Sequence, residues 1–324
     1  MTQRQPATQR NNRYRIALGA GAAAAGLLLG TAAWTQWQTR RAERRFPPEG
    51  QFVDTAAGRV HYIEAGQGSP VILIHGNIGQ ANDFEASGLF TLLSQRHRVI
   101  AIDRPGYGYT ERPMGRVWTP AAQAELIHQA MTALNVEKAV VLGHSYGAMI
   151  AAAMALAYPD AVKALVLVAG YFYPTPRLDT VMGAISKVPV LGDTLRHSLM
   201  PPLSRLSNRL HAKRAFAPRA VSPKYEAFVP RAMMTRPVTL SGMAGDSSLM
   251  AASAASISRK YEKLRLPVTI VTGDGDKMVN TERQSFRLHQ QLPQSELKVI
   301  PHAGHMVHYA AARKLSTWIE ALSD

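Results

Sequence analysis

The sequence predicts an α/β protein: a mostly parallel eight-stranded sheet with helices on both faces and a helical segment inserted between strands 6 and 7. Three observations carry this reading. Short runs rich in Val and Ile alternate with amphipathic stretches of helix length, the pattern of a parallel sheet covered on both sides. That alternation stops between residues 171 and 266 and resumes at Pro267. Finally, the apolar run Val140-Val141-Leu142 passes into Gly143-His144-Ser145-Tyr146-Gly147 and then into an Ala-rich stretch, a strand–turn–helix with a serine at its corner.

In chain order, residues 1–45 form a basic tail around a transmembrane or signal segment. Residues 16–34 carry no charge, close to the ~20 apolar residues that span a bilayer. Arg13 and Arg15 precede them, and Trp34, Trp37, Arg40 and Arg41 follow, so arginine flanks both ends and the side facing the cytoplasm is left open. A single uncleaved anchor is the first expectation. The alternative is a secreted or periplasmic chain cleaved after the small residues Thr31-Ala32-Ala33. Residues 46–50 read as a linker, and nothing in the body calls for the first 45 residues. Residues 51–64 suggest an antiparallel hairpin around Ala57-Gly58 at the sheet edge. Further strands are expected at 70–74, 98–102, 139–142, 164–168, 268–272 and 297–300, with helices at 82–95, 119–135, 146–158, 281–291 and 308–322. The body is thus 46–170 plus 267–324. Segment 171–266 is broken by prolines, among them Pro176, Pro189, Pro201 and Pro202, and reads as short helices.

Charge and composition narrow the function. The net charge is +15, but residues 1–46 contribute +7 and residues 171–266 contribute +10, leaving the body slightly acidic. Nucleic-acid binding is a poor fit, because no recognition motif accompanies the charge. The chain has no cysteine, which excludes thiol nucleophiles, thiolate metal sites and disulfide staples. Asp274-Gly275-Asp276 does not continue as a calcium loop, since Met278 falls where a ligand is needed. No metal and no cofactor is expected.

The motifs, taken together and in order, resemble the α/β-hydrolase fold family over residues 51–322. They are His75-Gly76-Asn77 after the third strand, Asp103-Arg104-Pro105-Gly106-Tyr107-Gly108 after the fourth, the Ser145 turn after the fifth, Gly273-Asp274-Gly275-Asp276 after the seventh and Gly304-His305 after the eighth. The resemblance implies a Ser145 nucleophile on a strained turn, His305 as its base with His302 and His308 as rivals, and Asp276 as the carboxylate with Asp274 as the alternative. It implies an oxyanion hole from the backbone N–H groups of Asn77 and Tyr146, and it makes segment 171–266 a helical cap over the site. His75, Asp103 and Arg104 are expected to brace the loop rather than touch substrate.

A serine at the corner argues against the relatives of this fold that use Asp there, haloalkane dehalogenases and epoxide hydrolases. The loop after His75-Gly76 lacks the Ser-Gly-Pro-Gly run of meta-cleavage C–C hydrolases. The expected function is a serine hydrolase cleaving a carboxylic ester or thioester through an acyl-enzyme. The alternatives are C–C or amide hydrolysis, perhydrolysis or acyl transfer on the same triad, and then a non-catalytic binding protein. Leu195, Leu199, Leu203, Leu206 and Leu210 recur at intervals of three or four among nine Lys/Arg between 196 and 236. The ordinary expectation packs these leucines inward under solvated arginines. The sharper one has the cap face an anionic surface and the enzyme take small-molecule acyl substrates that are lipid-like or anionic.

Overall fold

The structure, a computed structural model, describes residues 7–77, 79–175 and 191–323; Pro176 and Pro189 lie outside them. Eight strands form one sheet: β1 (Gln51–Thr55), β2 (Gly58–Ala65), β3 (Pro70–Ile74), β4 (Arg98–Ile102), β5 (Ala139–His144), β6 (Val162–Val168), β7 (Val268–Gly273) and β8 (Ser295–Ile300). Their spatial order is β1-β2-β4-β3-β5-β6-β7-β8. β1–β2 and β2–β4 pair antiparallel, and every other pair is parallel. All six residues of β5 are buried, as a central strand covered on both faces requires.

The described helices are α1 (Ala7–Arg45), α2 (Asn82–Ala86), α3 (Leu89–Leu93), α4 (Pro120–Ala133), α5 (Tyr146–Ala157), α6 (Leu191–His197), α7 (Met200–Phe216), α8 (Pro223–Phe228), α9 (Arg231–Met234), α10 (Pro237–Ser258), α11 (Arg287–Gln291) and α12 (Val307–Ser323). The helix expected over 82–95 is two pieces, because Gly88 adopts a left-handed φ of 81° between them, a conformation that ends a helix. Thr119 starts α4: its side chain accepts the Ala122 N–H at 3.1 Å, and Pro120 opens the first turn, a standard N-terminal signature. α4 and α5 cover one face of the sheet, while α3 and α12 cover the other. Both clusters are dominated by fully buried aliphatic side chains such as Ile72, Ile74, Leu73 and Val166, each contributing about 1.5–3 kcal/mol by leaving water.

β5 turns into α5 at Ser145, which holds φ 54° and ψ −118°. That conformation is costly for a residue with a Cβ. It persists because the surroundings admit no side chain on either flank: a Cβ on Gly143 would collide with the Gly147 carbonyl, and one on Gly147 with the Ile74 carbonyl. Strand, turn and helix are thereby locked together.

Helices α6–α10 lie between β6 and β7 in sequence. α1 packs on them by its C-terminal part. Thr35 and Ala42 are buried, Arg205 lies 5.1 Å over the Trp34 ring, and Arg236 Nη1 meets Glu43 Oε1 at 3.1 Å. Arg236 also donates to the Gly108 carbonyl, and the Tyr109 hydroxyl donates to that of Phe46. This corrects the sequence expectation that the first 45 residues play no part in the fold. Earlier in α1, Leu18, Leu27 and Leu29 are exposed. The stretch Leu18–Arg45 is long and apolar enough to cross a membrane by length and composition. The leucines of α7 give a second correction: Leu203, Leu206 and Leu210 point outward.

The loops above the sheet are braced by buried polar groups. Arg104 is fully buried. Its Nη1 meets Asp246 Oδ2 of α10 at 2.6 Å and Gln123 Oε1 at 3.0 Å, and its Nη2 donates to the Gly76 carbonyl and Asn77 Oδ1, both at 3.0 Å. His75 donates from Nδ1 to the Gly76 carbonyl at 2.8 Å and accepts the Arg104 N–H at Nε2 at 3.0 Å. Asp103 accepts from the Ala81 and Tyr109 N–H groups and pairs with His61 at 2.6 Å. The bracing role expected of His75, Asp103 and Arg104 is what the contacts give.

Two outcomes follow for stability. Asp246→Ala strands a buried guanidinium and should cost about 3–5 kcal/mol in a denaturant titration; a loss below about 1 kcal/mol, the worth of an exposed pair, would mean Arg104 does not depend on it. Burial, with the Arg104 charge beside it, lowers the His75 pKa to about 4 from an ordinary 6.5. Between those values the unfolded chain binds a proton that the folded chain refuses, so stability falls as pH drops through that window. His75 alone should account for roughly 3 kcal/mol of the fall. His75→Gln should flatten the slope of stability against pH, and an unchanged slope would exclude His75 as its source.

Candidate active site

Ser145, His305 and Asp276 come from three separate loops and meet in one line. His305 Nε2 lies 2.9 Å from Ser145 Oγ, and His305 Nδ1 lies 2.8 Å from Asp276 Oδ2. The turn after β7 sets Asp276: its Oδ1 accepts the Met278 and Val279 N–H groups at 2.7 and 2.9 Å. Burial would raise this carboxyl, but the His305 ring and those two N–H bonds outweigh it and hold the group below its ordinary value. Asp276 therefore stays an acceptor for the Nδ1 proton, leaving Nε2 free to accept one from Ser145.

The rivals occupy other places. Asp274 is exposed in the turn. His302 is exposed in the loop with φ 52°. His308 is buried in α12, with Nε2 3.1 Å from Asp83 Oδ2.

The two residues expected to offer N–H donors are Tyr146, next to the serine in sequence, and Asn77, which lines the same cavity. Tyr146 is the first residue of α5, where an N–H has no acceptor within the helix. Gly76 and Asn77 line the same cavity as Ser145 and His305. The Asn77 side chain is held by Arg104 and by the Tyr107 hydroxyl at 3.2 Å, which fixes the loop that presents its backbone.

The cavity has a volume of about 190 Å³. Sheet loops form its floor and α7–α10 its roof. Five methionines line it, Met234, Met243, Met250, Met278 and Met306, together with Tyr171, Phe216 and Tyr225. Thioethers adapt their shape to apolar guests. Arg231 stands among the lining residues, paired with Glu226.

Sequence reasoning missed three contributors. Asp246 looked like an ordinary residue of a Pro-broken segment; its signal was a lone carboxylate in an apolar helix, 237–258, of small residues. Asp83 lies in the first turn of α2, accepts from the Tyr309 hydroxyl of α12 at 2.6 Å and meets His308 Nε2 at 3.1 Å. His144 sat inside the motif without a role; its Nε2 lies 3.0 Å from the His305 carbonyl and tethers the base's backbone. Asp83, His144 and His308 each bring a potential metal-ligand atom within 4.8 Å of the others. Both Asp83 oxygens are already engaged by His308 and Tyr309, so the cluster reads as a hydrogen-bonded brace beneath His305.

Comparison with known proteins bears on the fold. The chain is 27% identical over 286 residues to haloalkane dehalogenase 2 of Mycobacterium tuberculosis, covering 85% of this chain and 94% of that one. It is 27% identical over 287 residues to 2-hydroxymuconate semialdehyde hydrolase of Pseudomonas putida, covering 86% and 95%. The crystal structure of Cfl2 from Burkholderia cenocepacia superposes with a TM-score of 0.70 at 21% identity, covering 85% of this chain and 95% of that chain. A family model described as the alpha/beta hydrolase fold matches residues 69–312, three quarters of the chain and every strand from β3 to β8, and with it the chain belongs to the α/β-hydrolase family.

Proposed function

We propose that the protein is a serine hydrolase that cleaves a carboxylic ester or thioester. The observation that carries this reading is the unbroken hydrogen-bonded line from Ser145 Oγ through His305 to Asp276 beneath an apolar cavity. A serine hydroxyl is a weak nucleophile until a base takes its proton. His305 Nε2 takes it as Oγ attacks the acyl carbon, and Asp276 keeps the ring in the required tautomer and stabilises the imidazolium. The oxyanion of the tetrahedral intermediate lies between the N–H groups of Tyr146 and Asn77, with the α5 N-terminus behind it. His305 then returns the proton to the leaving oxygen or sulfur, and the acyl-enzyme is hydrolysed by water with His305 as base again. No cofactor or metal enters this scheme.

The mycobacterial relative is named for dehalogenation; the serine at position 145 favours acyl chemistry for this chain, because relatives of that kind place Asp at the corner. The likeness to a semialdehyde hydrolase supports, as a second reading, C–C hydrolysis on the same triad. The methionine-rich lining favours an apolar acyl group. We also read α1 as an uncleaved membrane anchor: its exposed apolar part supports this, as does the continuity of the helix into the segment docked on the cap.

Ester turnover should fall by about 10⁴ or more in Ser145→Ala, His305→Ala and Asp276→Ala, and the triple variant should be little worse than Ser145→Ala. Full activity in His305→Ala would remove the proposed base. Hydrolytic C–C cleavage of a vinylogous diketone with no turnover of any member of a nitrophenyl ester series would favour the second reading.

A further inference from the structure

The outer surface of the cap carries a feature that catalysis does not use. On α7, Leu203, Leu206 and Leu210 are 64%, 76% and 69% exposed. At 3.6 residues per turn they fall within about 60° of one another. The opposite face of the same helix holds Asn208, Ala212 and Phe216, which are buried and line the Ser145 cavity. One helix thus has a cavity on one side and an unpartnered leucine stripe on the other. An exposed apolar stripe rimmed by basic side chains is the composition of a helix lying in a membrane interface.

Beside the stripe runs a groove of about 630 Å³ between α7 and the C-terminal part of α1. Five arginines line it: Arg41, Arg45, Arg205, Arg209 and Arg231, with Leu206 at its edge. Among the described residues only Arg231 of these five is paired with a carboxylate. Arg41 and Arg205 instead lie over Trp37 and Trp34, the indoles that close the apolar part of α1. Positive charge, interfacial tryptophans and exposed leucines therefore converge where the membrane-length helix meets the cap.

We propose that α7 and the C-terminal part of α1 form one membrane-contacting face. The leucine stripe enters the outer acyl region of the bilayer, and the arginine groove takes the phosphate groups of anionic phospholipids. The inference rests on the anchor reading of α1 given above. It leaves the catalytic cavity separated from lipid by a single helix, about 10 Å thick, so that apolar acyl substrates reach Ser145 from the bilayer side.

The absence of cysteine makes the test clean. Full-length protein carrying Leu27→Cys, Leu206→Cys, Leu210→Cys or Lys314→Cys is labelled with an environment-sensitive nitrobenzoxadiazole dye. Each is reconstituted into phosphatidylcholine vesicles with and without phosphatidylglycerol and quenched by lipids spin-labelled at shallow or deep positions. Expected are deep quenching at 27, shallow quenching at 206 and 210, and none at 314. Phosphatidylglycerol should strengthen the 206 and 210 signals, and Arg41→Glu with Arg209→Glu should abolish that gain. Deep quenching at 27 with 206 and 210 behaving like 314 would overturn the proposal and leave the anchor standing. No quenching at 27 would remove the anchor and the proposal with it. Quenching at 206 and 210 that ignores both lipid charge and arginine reversal would overturn the headgroup half.

Discussion

The backbone at Ser145 is the constraint on which the rest depends. A residue with a Cβ held at φ 54° is tolerated only where neighbouring chain leaves it no alternative. Gly143 and Gly147 make that possible by letting β5, β3 and α5 approach one another closer than any side chain would permit. The strain has a chemical consequence. It lifts the hydroxyl out of the strand's plane and places it at the N-terminus of α5, where developing negative charge is favoured. The turns that carry Asp276 and His305 follow β7 and β8 at the same edge of the sheet, and so bring the imidazole and the carboxylate into line with the serine.

A second dependence links the cap to that site. Arg104 touches Asp246 of α10, Gln123 of α4 and the Gly76-Asn77 loop at once. The Gly76 carbonyl and the Asn77 side chain are thus held by the same guanidinium that meets Asp246 in the roof of the cavity. A buried ion pair of this kind adds little net stability over an apolar replacement, yet losing one partner is expensive. Its value here lies in position: one guanidinium contacts both α10 and the Gly76-Asn77 loop.

What was legible in the sequence was what is encoded locally. The strand–Gly-x-Ser-x-Gly–helix run, the His75-Gly76 loop and the Gly-Asp-Gly-Asp turn each declare their backbone within a few residues, and the sheet followed from Val/Ile runs that must be buried on both faces. What the sequence hid depends on distant partners. Asp246 becomes meaningful only when Arg104, 142 positions away, is brought beside it. The leucines of α7 have a helical period that is the same whether they face in or out; burial of Asn208 and Phe216 on the other side decided it. Thr35 and Ala42 lie past the uncharged stretch 16–34, and their burial against the cap has no local signature. Gly88 could have warned that 82–95 would not run as one helix.

The account stands or falls on Ser145 being a nucleophile activated by His305. Mapping the site of covalent modification by a fluorophosphonate, by mass spectrometry of the digested full-length protein, tests this most directly. The predicted result is one phosphonyl group per chain on the peptide bearing Ser145, formed at a rate that collapses in His305→Ala while the fold is retained. Modification at another residue, or a Ser145 adduct whose rate is indifferent to His305, would contradict it.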